Sequence, residues 1–96
     1  MMKFRFNRAL AKRGVSYDRQ GLIHFRLANI SREPPEFRRL VRQYCTDAAG
    51  GEADILWRFL TDVGINHVYI YTEYRIPPRT LFRWKRDVYS RLAAVM

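Results

Sequence analysis

The chain has 96 residues, enough for one hydrophobic core but too few for an elaborate cleft. A hydrophobic fraction of 48% with 15% aromatics excludes a disordered basic tail, and a net charge of +9 favours a polyanionic partner. The single cysteine, Cys45, excludes an internal disulfide; no Cys/His spacing suggests zinc, and no run reaches the ~20 apolar residues of a bilayer span.

Taken in order, Lys3 to Arg13 reads as a short helix with Phe4, Phe6 or Asn7, Leu10 and Ala11 inward and Gly14 as its stop. Met1 to Leu10 is basic and has no apolar stretch of signal-peptide length, so a cytoplasmic setting is the natural expectation. Val15-Ser16-Tyr17 and Leu22-Ile23-His24-Phe25 are β-prone runs around the polar Asp18-Arg19-Gln20-Gly21, which predicts a small β-hairpin over 15–25. Leu27 to Pro35 reads as an irregular connection, because Ser31, Pro34 and Pro35 oppose regular structure. From Glu36 the pattern is a full amphipathic helix over 36–49. Phe37, Leu40, Val41, Tyr44, Cys45 and Ala48 share one face, and Gly50-Gly51 ends the helix. A second helix over 53–63 turns Ile55, Leu56, Phe59, Leu60 and Val63 inward, with Gly64 as its stop. Asn66 then caps a short helix over 66–74. Pro78 suits the first position of a last helix over 78–94, where no amide hydrogen is needed. Leu81, Trp84, Val88, Leu92 and Val95 give that helix its apolar stripe, and Ile70, Tyr74 and Ile76 are expected to face inward across the turn before it.

Basic residues are unevenly placed. Residues 1–44 hold eleven Lys/Arg against three Asp/Glu, residues 45–74 one against five, and residues 75–96 six against one. The acidic middle is poorly placed to meet phosphate; it faces away, pairs with Arg inside the fold, or meets a protein partner. Of the 18 basic residues 15 are Arg, an excess that genome composition alone can also produce.

The run Ile70-x-x-x-Tyr74-x-Ile76-Pro77-x-x-Thr80-Leu81-Phe82-Arg83-Trp84 resembles the helix-turn-helix of bacterial DNA-binding proteins. It is most similar to the last DNA-binding region of sigma factors, to related phage late-gene regulators, and to transposase and small-terminase heads. It departs from that motif at Tyr71, where a small residue is usual, and at Arg75, where the turn prefers glycine for a left-handed backbone. The resemblance covers about a quarter of the chain and implies a module that reads the major groove with the helix starting near Pro78. It also implies double-stranded DNA as partner, a phage or mobile-element origin, and a role at promoters alongside RNA polymerase.

On that helix Arg79, Phe82, Arg83 and Arg86 fall opposite the apolar stripe, with Arg75 and Lys85 adding charge. Arginine forks can grip guanine edges or bridge phosphates, whereas the plain alternative is a solvated helix face. Thr80 either meets a phosphate or bonds the backbone near Pro77, and Phe82 either touches a thymine methyl or packs. Arg38, Arg39 and Arg42 form a second ridge that either adds phosphate contacts or serves solubility and pairs with acidic residues. Arg5, Arg8, Lys12 and Arg13 are a third such set. Tyr69, Tyr71 and Tyr74 crowd one short helix, as core-completing rings or, if exposed, as a base-stacking surface. His24 and His67 have no acidic or nucleophilic companion nearby in sequence, Cys45 lies on an apolar face, and Asp47, Glu52, Asp54 and Asp62 lack a metal-loop pattern.

The expectation is therefore a single, mainly α domain: a small helical bundle with a C-terminal helix-turn-helix and a small N-terminal β-hairpin. Its parts are residues 1–35 (helix and hairpin), 36–64 (helical core) and 65–96 (helix-turn-helix), and dimerisation would add to its core. The expected function is non-enzymatic DNA binding in transcription regulation, with no cofactor and no membrane. The alternatives are a protein-interaction factor that binds a host protein, or an RNA-binding module.

Overall fold

The structure is a computed structural model and describes residues 7–96. The chain is mainly helical, and the described residues contain no strand. Its helices are α1 (Arg8–Lys12), α2 (Tyr17–Ala28), α3 (Pro35–Ala49), α4 (Ala53–Thr61), α5 (His67–Tyr74) and α6 (Pro78–Val95), with 3-10 turns at Ile30–Arg32 and Gly50–Glu52. No described helix is long and apolar enough to cross a membrane. Phe4, Arg5 and Phe6, expected on the first helix, lie outside the described residues.

The expected hairpin over 15–25 is instead helix α2, and the irregular connection begins only after Ala28. Ser16 explains the start, because its hydroxyl accepts from the Arg19 amide at 3.3 Å and satisfies a donor that a helix start leaves open. Asp18 in the first turn adds a favourable charge at the positive end of the helix. Gln20, Ile23 and Leu27 recur at helical spacing and are buried together, whereas Leu22 and Phe25 stand exposed. Those two outward apolar residues are what made the stretch look β-prone. Gly21 inside the helix costs about 0.5–1 kcal/mol relative to alanine, which the burial of Ile23 and Leu27 outweighs.

Elsewhere punctuation and period act together. Pro35 opens α3, and Gly50, at φ 57°, closes it in a conformation that favours glycine. Gly14, at φ 88°, follows the end of α1 in the same way. α4 stops at Thr61, before Gly64, where the Asp62 side chain accepts from the Gly64 amide and shapes the following turn. Val63 accordingly lies outside the helix and is exposed. Ala11 and Val95, expected inward, are exposed too, and so is Tyr74.

The core runs through every helix. Leu10, Val15, Ile23, Leu27, Phe37, Val41, Cys45, Leu56, Ile70, Ile76, Leu81, Val88, Tyr89 and Leu92 are buried, with Leu40, Tyr44, Ile55, Phe59, Leu60 and Trp84 packed around them. α6 is the central element and packs against each of the other five helices. Gln20 is a buried polar residue that hydropathy did not mark. Its amide nitrogen donates to the Asn7 and Val15 carbonyls, and its oxygen accepts from the Asn7 amide, which ties the start of α1 to α2. Cys45 is fully buried, and burial pushes its thiol up to about 12, so it is inert packing rather than a nucleophile.

Candidate nucleic-acid interface

α4, α5 and α6 form three mutually contacting helices at the C-terminal side of the fold. The Asn66 side chain accepts from the Tyr69 amide at 2.9 Å and starts α5. α5 closes on Arg75, which adopts the left-handed conformation (φ 60°, ψ 30°), its amide bonding the Tyr71 carbonyl at 2.9 Å. The turn thus makes the backbone geometry for which glycine is the usual residue, with arginine in its place. Pro77 is extended, and Pro78 occupies the first turn of α6 without forfeiting a hydrogen bond. Ile70, Ile76 and Leu81 are buried and clamp the two helices across the turn.

Phe82 does not stand free on the outer face. Its ring meets Phe59 edge-on with centroids 5.9 Å apart and His67 at 5.4 Å, so packing is its role. Lys85 is also drawn inward, with its ammonium 5.8 Å from the centre of the Phe59 ring and 5.4 Å from that of Tyr89. Burial lowers its pKa, and its charge together with burial lowers that of His24. Lys85 and Arg86 are neighbours in sequence but ~100° apart around the helix; both are half-buried, and only Lys85 lies against the Phe59 and Tyr89 rings.

On the other side of α6 is a set of arginines, of which Arg79 and Arg83 are exposed and Arg86 is half-buried. Arg79, Arg83 and Arg86 follow one another at steps of four and three and so fall within an arc of ~60° on the first half of α6. Arg75 stands exposed in the turn before them. Among the described residues none of these four side chains makes an ion pair or a hydrogen bond. The Thr80 hydroxyl, in the first turn of the helix, likewise makes no hydrogen bond to the backbone near Pro77. Farther along α6 the surroundings close in: Tyr89 and Ala93 are buried, and Arg19 of α2 donates to the Ala93 carbonyl at 2.7 Å.

The second ridge is different. Arg38 donates to the Ser31 and Glu33 carbonyls, holding the 3-10 turn against α3. Arg42 pairs with Asp54 at 2.8 Å and lies over the Trp57 ring. Only Arg39 of the three is exposed without a partner among the described residues. The acidic middle segment is partly explained by these contacts, since Asp54 takes Arg42 and Asp47 takes Arg91 at 3.1 Å.

Sequence reasoning missed the Arg58 guanidinium, which donates to the Tyr74 hydroxyl at 2.7 Å. Tyr69, Tyr71 and Tyr74 are exposed, so these rings do not complete the core. No family model, no curated protein and no solved structure matches this chain.

Proposed function

We propose that the protein binds double-stranded DNA through a helix-turn-helix formed by α5 and α6, and acts as a transcription regulator or DNA-recognition subunit of phage or mobile-element origin. One observation carries this reading: Arg75, Arg79, Arg83 and Arg86 are gathered on the turn and the first half of one helix without ion-pair or hydrogen-bond partners among the described residues. Elsewhere Arg26, Arg42 and Arg91 each have a carboxylate, so these four are the available cations at the motif. They lie at the end of α6 that carries the positive pole of the helix, where the Thr80 hydroxyl would also meet phosphate. Arg83 is the proposed base reader, with Arg79 and Arg86 flanking it and Arg75 on the backbone. Arg39 is a further phosphate contact, while Arg38 and Arg42 act within the fold.

The test begins with selection of a binding site from random duplexes. Arg83→Ala should then cost about 1–3 kcal/mol on the selected site and much less on random DNA. Arg39→Ala should weaken both equally and lower the salt slope by about one, because one fewer counterion is released. A selection that enriches no sequence, with Arg83→Ala binding bulk DNA as well as the parent, would remove sequence-specific reading by α6.

A second reading, a protein-interaction factor, draws on the outer face of α2, where Leu22 is 51% and Phe25 65% exposed. At a promoter the two readings meet, since a regulator that contacts RNA polymerase needs an apolar surface besides its DNA-binding helix.

A further inference from the structure

α5 is an unusual helix for so small a protein, because of its eight residues only Ile70 is buried. Three of the others are tyrosines left in water, and two of these form a built surface rather than a scatter. Tyr69 and Tyr74 meet edge to face with ring centroids 6.4 Å apart and an interplanar angle of 75°. The Tyr74 hydroxyl is held from α4 by Arg58 at 2.7 Å, which fixes the direction of that ring. The Tyr69 hydroxyl makes no hydrogen bond within the described residues. Arg75 follows Tyr74 directly in the chain, so Tyr74 has one arginine bonded to its hydroxyl and another as its neighbour in sequence. Glu73, on the same side of α5, is the helix's only carboxylate.

We propose that Tyr69 and Tyr74, with Arg58 bonded to the Tyr74 hydroxyl and Arg75 next in the chain, form a stacking site for one or two unpaired bases of a nucleic-acid strand. The chemistry favours this occupant over others. A duplex covers the faces of its bases with neighbouring bases, so exposed rings can take only a base that has left the stack. A protein ligand would favour an unbroken apolar patch, whereas here two arginines adjoin Tyr74, and cations beside exposed rings suit a sugar-phosphate strand. The site goes beyond duplex reading by α6 and shares only Arg75 with it, so the protein would bind best where a duplex opens into a single strand.

The experiment uses the full chain and three probes of one sequence: a blunt duplex, the same duplex with a short thymidine tail, and the same duplex with a short uridine RNA tail. The tailed probes should bind about 5- to 100-fold more tightly than the blunt one, as stacking of a base on an aromatic ring gives. A gain with either tail supports the site, and the larger gain identifies DNA or RNA as its source. Tyr69→Ala should abolish the gain while leaving blunt-duplex binding unchanged, and Tyr69→Phe, which keeps the ring, should retain it. Tyr71→Ala is the control, because the Tyr71 ring is not part of the Tyr69–Tyr74 pair. Glu73→Gln should strengthen tail binding a few-fold by removing the one like charge beside the strand. Equal affinity of the parent for blunt and tailed duplexes overturns the stacking site and leaves duplex reading standing. Tail binding that survives Tyr69→Ala, or falls equally with Tyr71→Ala, also overturns it. Tail-dependent binding without any blunt-duplex binding supports the stacking site and ends the duplex reading instead.

Discussion

Arg75 is where fold and proposed function pull in opposite directions, and the conflict can be measured. Its backbone sits at φ 60° and ψ 30°, the only non-glycine residue with positive φ among those described. For an L-residue that conformation costs about 1–2 kcal/mol, a cost glycine does not carry. Glycine in turn loses about 0.4–1 kcal/mol through the greater freedom of its unfolded chain. Arg75→Gly should therefore stabilise the protein by about 0.5–1 kcal/mol, raising the melting temperature by roughly 2–8 °C for a chain of this size. Arg75→Ala keeps the unfavourable backbone and loses only the side chain, so it should melt no higher than the parent. Far-UV circular dichroism melts of the three proteins decide the stability question. Both variants should weaken duplex binding by a similar factor and lower its salt slope by about one, since both lose the same guanidinium. A glycine variant that melts at or below the alanine variant would refute the argument that the turn is strained. Tight binding by both variants with an unchanged salt slope would show that Arg75 does not touch phosphate.

The start of α2 should depend on Ser16: Ser16→Ala is expected to cost about 1 kcal/mol in urea denaturation, whereas Asp18→Asn should cost a few tenths through the helix dipole. Gln20→Leu should cost at least 1–3 kcal/mol, because it strips partners from the Asn7 amide and the Val15 carbonyl at once; an unchanged stability would mean water replaces them freely. His24 has a pKa held below its ordinary value by burial and by Lys85, so the fold disfavours the charged imidazole. Its contribution is fully present above the unfolded value of about 6.5 and is lost as pH falls through the lower folded value. Thermal melts should show this loss below about pH 6.5 in the parent and a weaker one in Lys85→Met, which removes the nearby charge but not the burial. Leu81→Ala, at the junction of the proposed motif and the core, should cost about 2–5 kcal/mol.

The helices α3 to α6 were legible because period and punctuation agree along them. Phe37, Val41 and Cys45 repeat at helical steps between Pro35 and Gly50, and Asn66, Pro77 and Pro78 mark the edges of the two shorter turns. α2 was not legible, since Leu22 and Phe25 are apolar and outward while Gln20 is polar and inward. A pattern read by hydropathy inverts at just those positions, and the Ser16 cap was the signal that could have corrected it. On the candidate site, the spacing of Arg79, Arg83 and Arg86 was enough to place them on one face. Lys85 was not separable from them by charge, and only its angle around the helix turns it toward Phe59 and Tyr89. Arg38 and Arg42 were indistinguishable from Arg39 by sequence. What they engage, the Ser31 and Glu33 carbonyls and Asp54, lies across turns whose geometry spacing does not reveal.

The division of labour along α6 bears on how such a protein could diversify. Leu81, Val88, Tyr89 and Leu92 hold the helix against its neighbours, and a change at any of them disturbs the whole molecule. Arg79, Arg83 and Arg86 make no ion pair or side-chain hydrogen bond among the described residues. On the proposed reading, a lineage carrying this fold could exchange those three residues repeatedly, acquiring new targets or losing old ones, without a compensating mutation elsewhere. Variation among its descendants would gather on one narrow strip of one helix while the interior stayed still.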